Sequence, residues 1–323
     1  MPAEITSTFL NIKPIDMTNV GFTRETLKGE VAVVTGGASN VGLGYSRSFA
    51  WAGAKVVIAD LNEEAGKEAE RVINAENAAD SALFVKCDIS RDSDVKNLAK
   101  RAFEKFGKVD ILINNAMNMR LHGFVLDAPI SELEQTFAIS ARGTMLAIQE
   151  FVPLMIERKH GVVTYSASQF HYCLPLIAGP MYCVGKAAAT SIVMSLANEV
   201  KGTGVNVFCL APTGVARFDP NETDPAKMPP IPDWAPKMDQ TRNIPGFDSS
   251  AFPPEAAGAA MIYCILNAST LHGSGVSIMD VFEAMNYPYP CPETLMERPK
   301  SRRLNDLELT TVFLNMGPGF TAR

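Results

Sequence analysis

The amino-acid sequence predicts an α/β protein built on one doubly wound parallel sheet of Rossmann type. Apolar runs of four or five residues recur between Val31 and Met279, with helical stretches between them. Such short, fully apolar strands belong to a sheet covered on both faces, and strand–helix alternation gives parallel pairing. The first run, Val31–Thr35, also opens into a Gly-rich turn followed by a helical pattern. In this architecture ligands sit at the carboxyl ends of the strands.

The elements follow in order. Val31–Thr35 is a strand, Leu43–Ala52 a helix, Lys55–Ala59 a strand and Glu63–Ala75 a charged amphipathic helix. Leu83–Cys87 is a strand, Asp92–Phe106 a helix and Val109–Ile113 a strand. A long helical stretch covers Ser131–Glu157 and leads to the strand Gly161–Tyr165. Then come a helix at Met181–Val200, a strand at Val205–Leu210, a helix at Pro254–Leu266 and a last strand at Gly275–Met279. Gly53 and Gly107 each stand just past a helix, as C-terminal caps do. Residues 1–28 are polar and lack periodicity, which predicts an extension lying on the domain surface or partly disordered.

Composition narrows the function. With 47% hydrophobic and 20% charged residues the chain has material for a sizeable core. A net charge of −6 and a pI near 5.4 give no electrostatic reason to expect nucleic acid as a partner. The six cysteines (87, 173, 183, 209, 264, 291) show no C-x-x-C and no histidine at ligand spacing, so reduced, mostly buried thiols and no metal are expected. Glu4, Lys13 and Asp16 interrupt any apolar leader, and the longest apolar run, Ala256–Leu266, is too short to span a bilayer. The expectation is a cytoplasmic protein with no membrane partner.

One stretch carries the chemistry, Tyr182-Cys183-Val184-Gly185-Lys186. At about 3.6 residues per turn, residues four apart stack on one helix face. A phenol titrates near pH 10, roughly, and is a poor base at neutrality. A neighbouring ammonium favours the phenolate and brings it toward the working range.

Ahead of this pair stand Thr35-Gly36, Gly42, Asp60, Cys87-Asp88 and Asp110-Ile-Leu-Ile-Asn114-Asn115-Ala116. In this order and spacing they resemble the classical short-chain dehydrogenase/reductase family over residues 29–285, flanked by extensions at 1–28 and 286–323. The resemblance implies a dinucleotide held at Thr35, Gly36, Ser39, Asn40, Val41 and Gly42. It puts Asp60 on the adenosine ribose, Asp88 and Ile89 beside the adenine, and Asn114 and Ala116 along the ribose. Tyr182, Lys186, Pro212, Gly214 and Val215 would then face the nicotinamide end. Asp60 repels a 2′-phosphate, and no Arg or Lys follows it before Lys67, which favours NAD over NADP.

The resemblance also implies a catalytic serine, Ser168 with Ser166 as the alternate, that polarises the substrate oxygen. Tyr182 would act as general acid/base and Lys186 as its partner. Four positions depart from the family. Asn40 replaces the middle glycine of the turn, and asparagine tolerates left-handed backbone best among residues with a side chain. Met117 stands for a glycine, Thr213 lengthens a Pro-Gly pair, and Ser140 takes the place of an asparagine that holds a water linking the lysine to solvent. The leading function is hydride transfer between NAD and a secondary alcohol or ketone. The alternative keeps the fold with non-redox chemistry or ligand binding.

The stretch 215–253, rich in Pro, Asp and Asn, reads as a substrate loop. Met117, Met119, Phe170, Met181, Phe218 and Trp234 point to an apolar, aromatic or polycyclic small molecule. Family resemblance implies a homodimer or homotetramer. In the tail, Leu307–Leu314 is apolar enough to need burial, and is expected on a neighbouring subunit or over the pocket mouth.

Overall fold

Strand and helix boundaries follow from where β-branched runs give way to capping and turn residues. A computed structural model of the chain describes residues 17–118, 125–126, 128–168, 180–212 and 254–286. The chain divides into two units, Met1–Pro288 and Tyr289–Arg323, and every described residue lies in the first. The expectations for Met119, Phe170, Thr213, Gly214, Val215, Phe218, Trp234, the loop 215–253 and the tail from 287 fall outside the described residues.

In chain order the elements are β1 (Val31–Thr35), α1 (Asn40–Trp51), β2 (Lys55–Asp60), α2 (Glu63–Glu76), β3 (Ala82–Lys86), α3 (Asp92–Phe106) and β4 (Ile111–Asn114). Then follow α4 (Ile130–Thr136), a π-helical turn (Phe137–Arg142), α5 (Gly143–Arg158), β5 (Gly161–Ser166), α6 (Pro180–Glu199) and β6 (Val205–Ala211). The last are α7 (Pro254–Leu266), α8 (Ala268–Leu271), β7 (Gly275–Ser277) and α9 (Ile278–Ala284). All pairings are parallel, in the order β3-β2-β1-β4-β5-β6-β7. The chain leaves β1 in one direction and returns on its other side at β4, which opens a crevice at the carboxyl ends of these two strands. Val33, Val57, Leu112, Val163 and Val207 are fully buried and pack with Phe151 and Val193 on one face of the sheet.

Two differences from the sequence expectation have a local structural cause. The single helix expected at Ser131–Glu157 is interrupted by the π-turn at Phe137–Arg142. The strand expected at Gly275–Met279 stops at Ser277, whose side chain accepts from the Asp280 N–H while Asp280 accepts from Ser277 N–H, a capping box that starts α9. Of the extension expected to lie on the domain surface or be partly disordered, residues 17–28 lie on the domain: Met17, Phe22 and Leu27 are buried, and Leu27 N–H donates to Ala52 O at 2.8 Å.

At the amino-terminal edge, Asp110 is buried and accepts from Val31 N–H at 3.0 Å and Arg158 Nη2 at 3.0 Å, with Lys108 Nζ at 2.8 Å. On the α1 side, Arg47 donates to Glu76 through Nε and Nη2 and to Glu255 through Nη1 at 3.1 Å. Burial pushes the Glu255 carboxyl above the usual range, and Arg47 opposes this.

Helices α1 and α7 approach so closely that two glycines are required between them. A Cβ on Gly44 would meet Pro254 O at 2.1 Å, and one on Gly258 would meet Ser48 Oγ at 2.0 Å. Backbone cannot yield as a side chain does. Gly44→Ala should therefore destabilise the protein by about 1–3 kcal/mol in urea unfolding. Wild-type stability in that variant would contradict the packing described.

Candidate active site

The Gly-rich turn joins β1 to α1, and its shape is set by contacts that leave no room for larger residues. Gly36 has φ +63°, and a Cβ there would meet Ala116 Cα at 3.0 Å; a Cβ on Gly42 would fall 1.9 Å from Gly36 O. Asn40 has φ +45°, the left-handed backbone expected of the residue that replaces the middle glycine. The turn thus keeps its form without a glycine at that position.

Side chains then stitch the turn to its neighbours. Thr35 Oγ1 accepts from the N–H groups of Asn115 at 2.9 Å and Ala116 at 3.1 Å. The Asn115 amide donates to Thr35 O and Gly36 O. Asp60 Oδ2 accepts from Ala38 N–H at 3.0 Å, and its Oδ1 accepts from Asn62 N–H at 3.0 Å. Asn115 was the partner that sequence reasoning passed over, although it sits inside the Asn114-Asn115-Ala116 signal. Asn114 turns its amide to Thr164 O at 3.3 Å and is buried in the sheet.

The first turn of α1 carries no acidic residue, and Ser39 makes no side-chain capping bond among the described residues. Ser39 is exposed, and Asn40 and Val41 are half-buried. Helix N–H groups left open at a glycine turn suit an anion. These residues fit the pyrophosphate of a dinucleotide. Farther along the same edge, Asp88 accepts from Ser90 N–H at 3.0 Å and Ser90 Oγ at 2.6 Å and pairs with Arg91, while Ile89 packs on Gly143.

Beyond β5 and β6 the chemistry-bearing residues gather. Lys186 on α6 is buried, and its Nζ donates to Ser166 O at 2.5 Å. The same Nζ lies 5.7 Å from the centre of the Tyr182 ring and 5.0 Å from that of Tyr165. Burial pulls the lysine down from its ordinary 10.5 to about 7, with a small opposing effect from Cys209. Ser166 Oγ is 3.0 Å from the hydroxyl of the fully buried Tyr45, so this serine belongs to the core. Ser168 lies two residues past it, buried beyond the end of β5, and Pro212 is buried just past the end of β6.

Tyr182, Met181 and Met117 are half-buried. Met117 reaches toward α6: a Cβ on Gly185 would meet Met117 Cε at 3.2 Å and Ser140 Oγ at 2.7 Å. The π-turn carries Ser140, buried, to this point. Of the six expected cysteines, Cys87, Cys209 and Cys264 are buried free thiols and Cys183 is half-buried. Among the described residues no helix is long and apolar enough to cross a membrane.

A doubly wound parallel sheet with a glycine turn at its crevice and a tyrosine–lysine pair beside it defines a nicotinamide-dependent oxidoreductase class. A family model described as short chain dehydrogenase matches residues 30–225, and the chain belongs to that family. It is 34% identical over 193 residues to "(21S)-21-acetoxyl-apo-melianone synthase SDR" of Melia azedarach, covering 59% of this chain and 68% of that protein. It is 36% identical over 195 residues to "Short chain aldehyde dehydrogenase 1" of Euphorbia lathyris, covering 60% and 66%. A solved short-chain type dehydrogenase/reductase from Mycobacterium marinum matches the fold with a TM-score of 0.67 at 20% identity, over 80% of this chain and 96% of that one.

The depressed lysine has a consequence for stability. As pH falls below 10.5, the unfolded chain protonates this side chain first, while the folded chain holds out to about pH 7. Stability from this group is thus full above pH 10.5 and lost as pH falls toward 7. Lys186→Met should be more stable than wild type by a gap that widens between pH 10 and 7, approaching about 3–5 kcal/mol. Urea unfolding of both proteins across that range is the measurement, and a gap independent of pH would contradict the burial argument.

Proposed function

We propose that this chain is an NAD-dependent dehydrogenase/reductase acting on a secondary alcohol or ketone of an apolar small molecule. The observation that carries the proposal is the buried Lys186 beside Tyr182, at the carboxyl edge of the sheet next to the glycine turn. A nicotinamide held there supplies a hydride acceptor or donor. In oxidation the substrate hydroxyl loses its proton to the Tyr182 oxygen as the hydride leaves the same carbon, and reduction is the reverse. Ser168 holds the substrate oxygen, since Ser166 is committed to Tyr45. Lys186 supports the phenolate form of Tyr182 when charged.

The preference for NAD rests on Asp60 at the end of β2. Its carboxylate accepts two backbone N–H groups, and a carboxylate at the end of this strand would repel a 2′-phosphate. An apolar substrate is favoured by Met117 and Met181, half-buried around Gly185 and Tyr182. The proposed working form is a cytoplasmic homodimer or homotetramer.

Two measurements test the reading. Tyr182→Phe should lower kcat by about 10²–10⁴-fold with NAD affinity nearly unchanged, because only the phenol oxygen is lost; near-normal turnover would remove the catalytic assignment. Calorimetric titration should show wild type binding NAD in preference to NADP. Asp60→Ala should weaken NAD by roughly tenfold or more, the loss of charged hydrogen bonds, while narrowing the gap to NADP. Wild-type preference for NADP would overturn the cofactor choice.

A further inference from the structure

Tyr45 is a phenol held inside the fold, on the second turn of α1. It is fully buried, and its ring stacks on Phe49 with centroids 6.1 Å apart and planes inclined by 15°. Burial pushes the hydroxyl well above the ordinary phenol range, so it stays neutral and acts only as a hydrogen-bonding group. Cys264 on α7, the other titratable group near it, is likewise pushed up and uncharged. A phenylalanine would pack the same ring, which leaves the oxygen to be accounted for. A buried hydroxyl is costly unless it is bonded, and the partner here is Ser166 Oγ at 3.0 Å, 121 residues away in sequence.

Ser166 is the last residue of β5, and the sheet holds it on one side only. Pairing with β4 ends at Asn114 and Tyr165, whereas pairing with β6 continues to Ser166 and Leu210, where Ala167 N–H donates to Leu210 O at 2.7 Å. Side chains alternate along a strand, so Tyr165 turns to the face of Val163 and Phe151, and Ser166 to the face of α1. The Tyr45 hydroxyl is therefore the second restraint on this strand end. The carbonyl of the same serine accepts from Lys186 Nζ, and it is the one acceptor Nζ has among the described residues. The other groups facing Nζ are the rings of Tyr165 and Tyr182 and the thiol of Cys209. Burial pushes Tyr165 and Cys209 up, Cys209 to about 12, and both are neutral. Rings attract an ammonium by their faces, whereas the carbonyl aims one N–H.

Resting on the catalytic reading above, we propose that Tyr45 is a positioning residue for the reaction: through the Ser166 hydroxyl it holds the Ser166 carbonyl against Lys186 and so keeps the ammonium beside Tyr182. Tyr45 lies in the core and acts only through Ser166. A hydrogen bond from an ammonium to a carbonyl favours the charged form. Without the Tyr45 hydroxyl the strand end relaxes, the carbonyl draws back, and the lysine gives up its proton more readily. Less ammonium beside Tyr182 means less phenolate, so oxidation slows at neutral pH and recovers only at higher pH.

The test compares Tyr45→Phe, Ser166→Ala and the double variant. Each single variant should lower kcat for oxidation about fivefold at neutral pH, with KM and NAD affinity close to wild type. Each should also move the rising limb of the pH–rate profile upward by about half to one unit. The double variant should lose no more than either single one, since both remove the same link. Titration of Lys186 in protein carrying isotope-labelled lysine, followed by NMR, gives a readout without turnover: its midpoint should fall by about half a unit in Tyr45→Phe. Single variants that lower the melting temperature but keep wild-type kcat, pH profile and lysine titration would reduce the contact to packing and overturn the proposal. Losses of kcat that add in the double variant would overturn it too. In both cases an inactive Tyr182→Phe leaves the catalytic reading standing. A fully active Tyr182→Phe would instead remove that reading and the proposal that rests on it.

Discussion

A lysine side chain buried beneath the carboxyl edge of the sheet is the constraint around which the site is arranged. Water would hold an ammonium near 10.5, and the protein interior brings Lys186 to about 7. The position is tolerated because Nζ finds the Ser166 carbonyl and two aromatic faces. Everything that fixes Ser166 therefore fixes Lys186. β5 pairs with β4 and β6 over its length, and the Ser166 hydroxyl is locked to Tyr45 from α1. The helix that starts at the glycine turn thus also braces the strand that holds the lysine.

The glycine turn is a second rigid unit, and it is stitched rather than merely small. Thr35, Asn115 and Asp60 link β1, β4 and β2 through backbone groups of the turn. Asp60 in particular does two things at one place: it anchors the turn through Ala38 and sets the charge at the end of β2. Membership of the short-chain dehydrogenase family accounts for the coexistence of these parts. The departures at Met117 and Ser140 meet at Gly185 on α6, where a Cβ would lie 3.2 Å from Met117 Cε and 2.7 Å from Ser140 Oγ.

Much of this fold was legible in the sequence because apolar runs and their spacing are local signals. All seven strands lie where the runs lie, and the left-handed backbone at Asn40 follows from the residue type alone. What was not legible depends on contacts across the fold. The π-turn at Phe137–Arg142 carries no proline or glycine inside it to announce it. For residues 17–28 a surface-lying and a disordered extension were both open, and Met17, Phe22 and Leu27 are what seat them on the domain. The end of β7 was readable in principle, since Ser277 and Asp280 stand at capping-box spacing. Counting alone leaves both Ser166 and Ser168 open, and the contact of Ser166 with Tyr45, more than a hundred residues away in sequence, has no local signal.

The proposed role of Tyr182 and Lys186 is hydride transfer at the carboxyl edge of the sheet. The most direct measurement is isotope transfer: NADH deuterated at the reactive carbon, incubated with the protein and a panel of apolar ketones, with the alcohol products analysed by mass spectrometry. One deuterium bound to the carbinol carbon of a product is the expected result. Bound NADH that passes no deuterium to any ketone, alongside conversion of a substrate by another route, would contradict it.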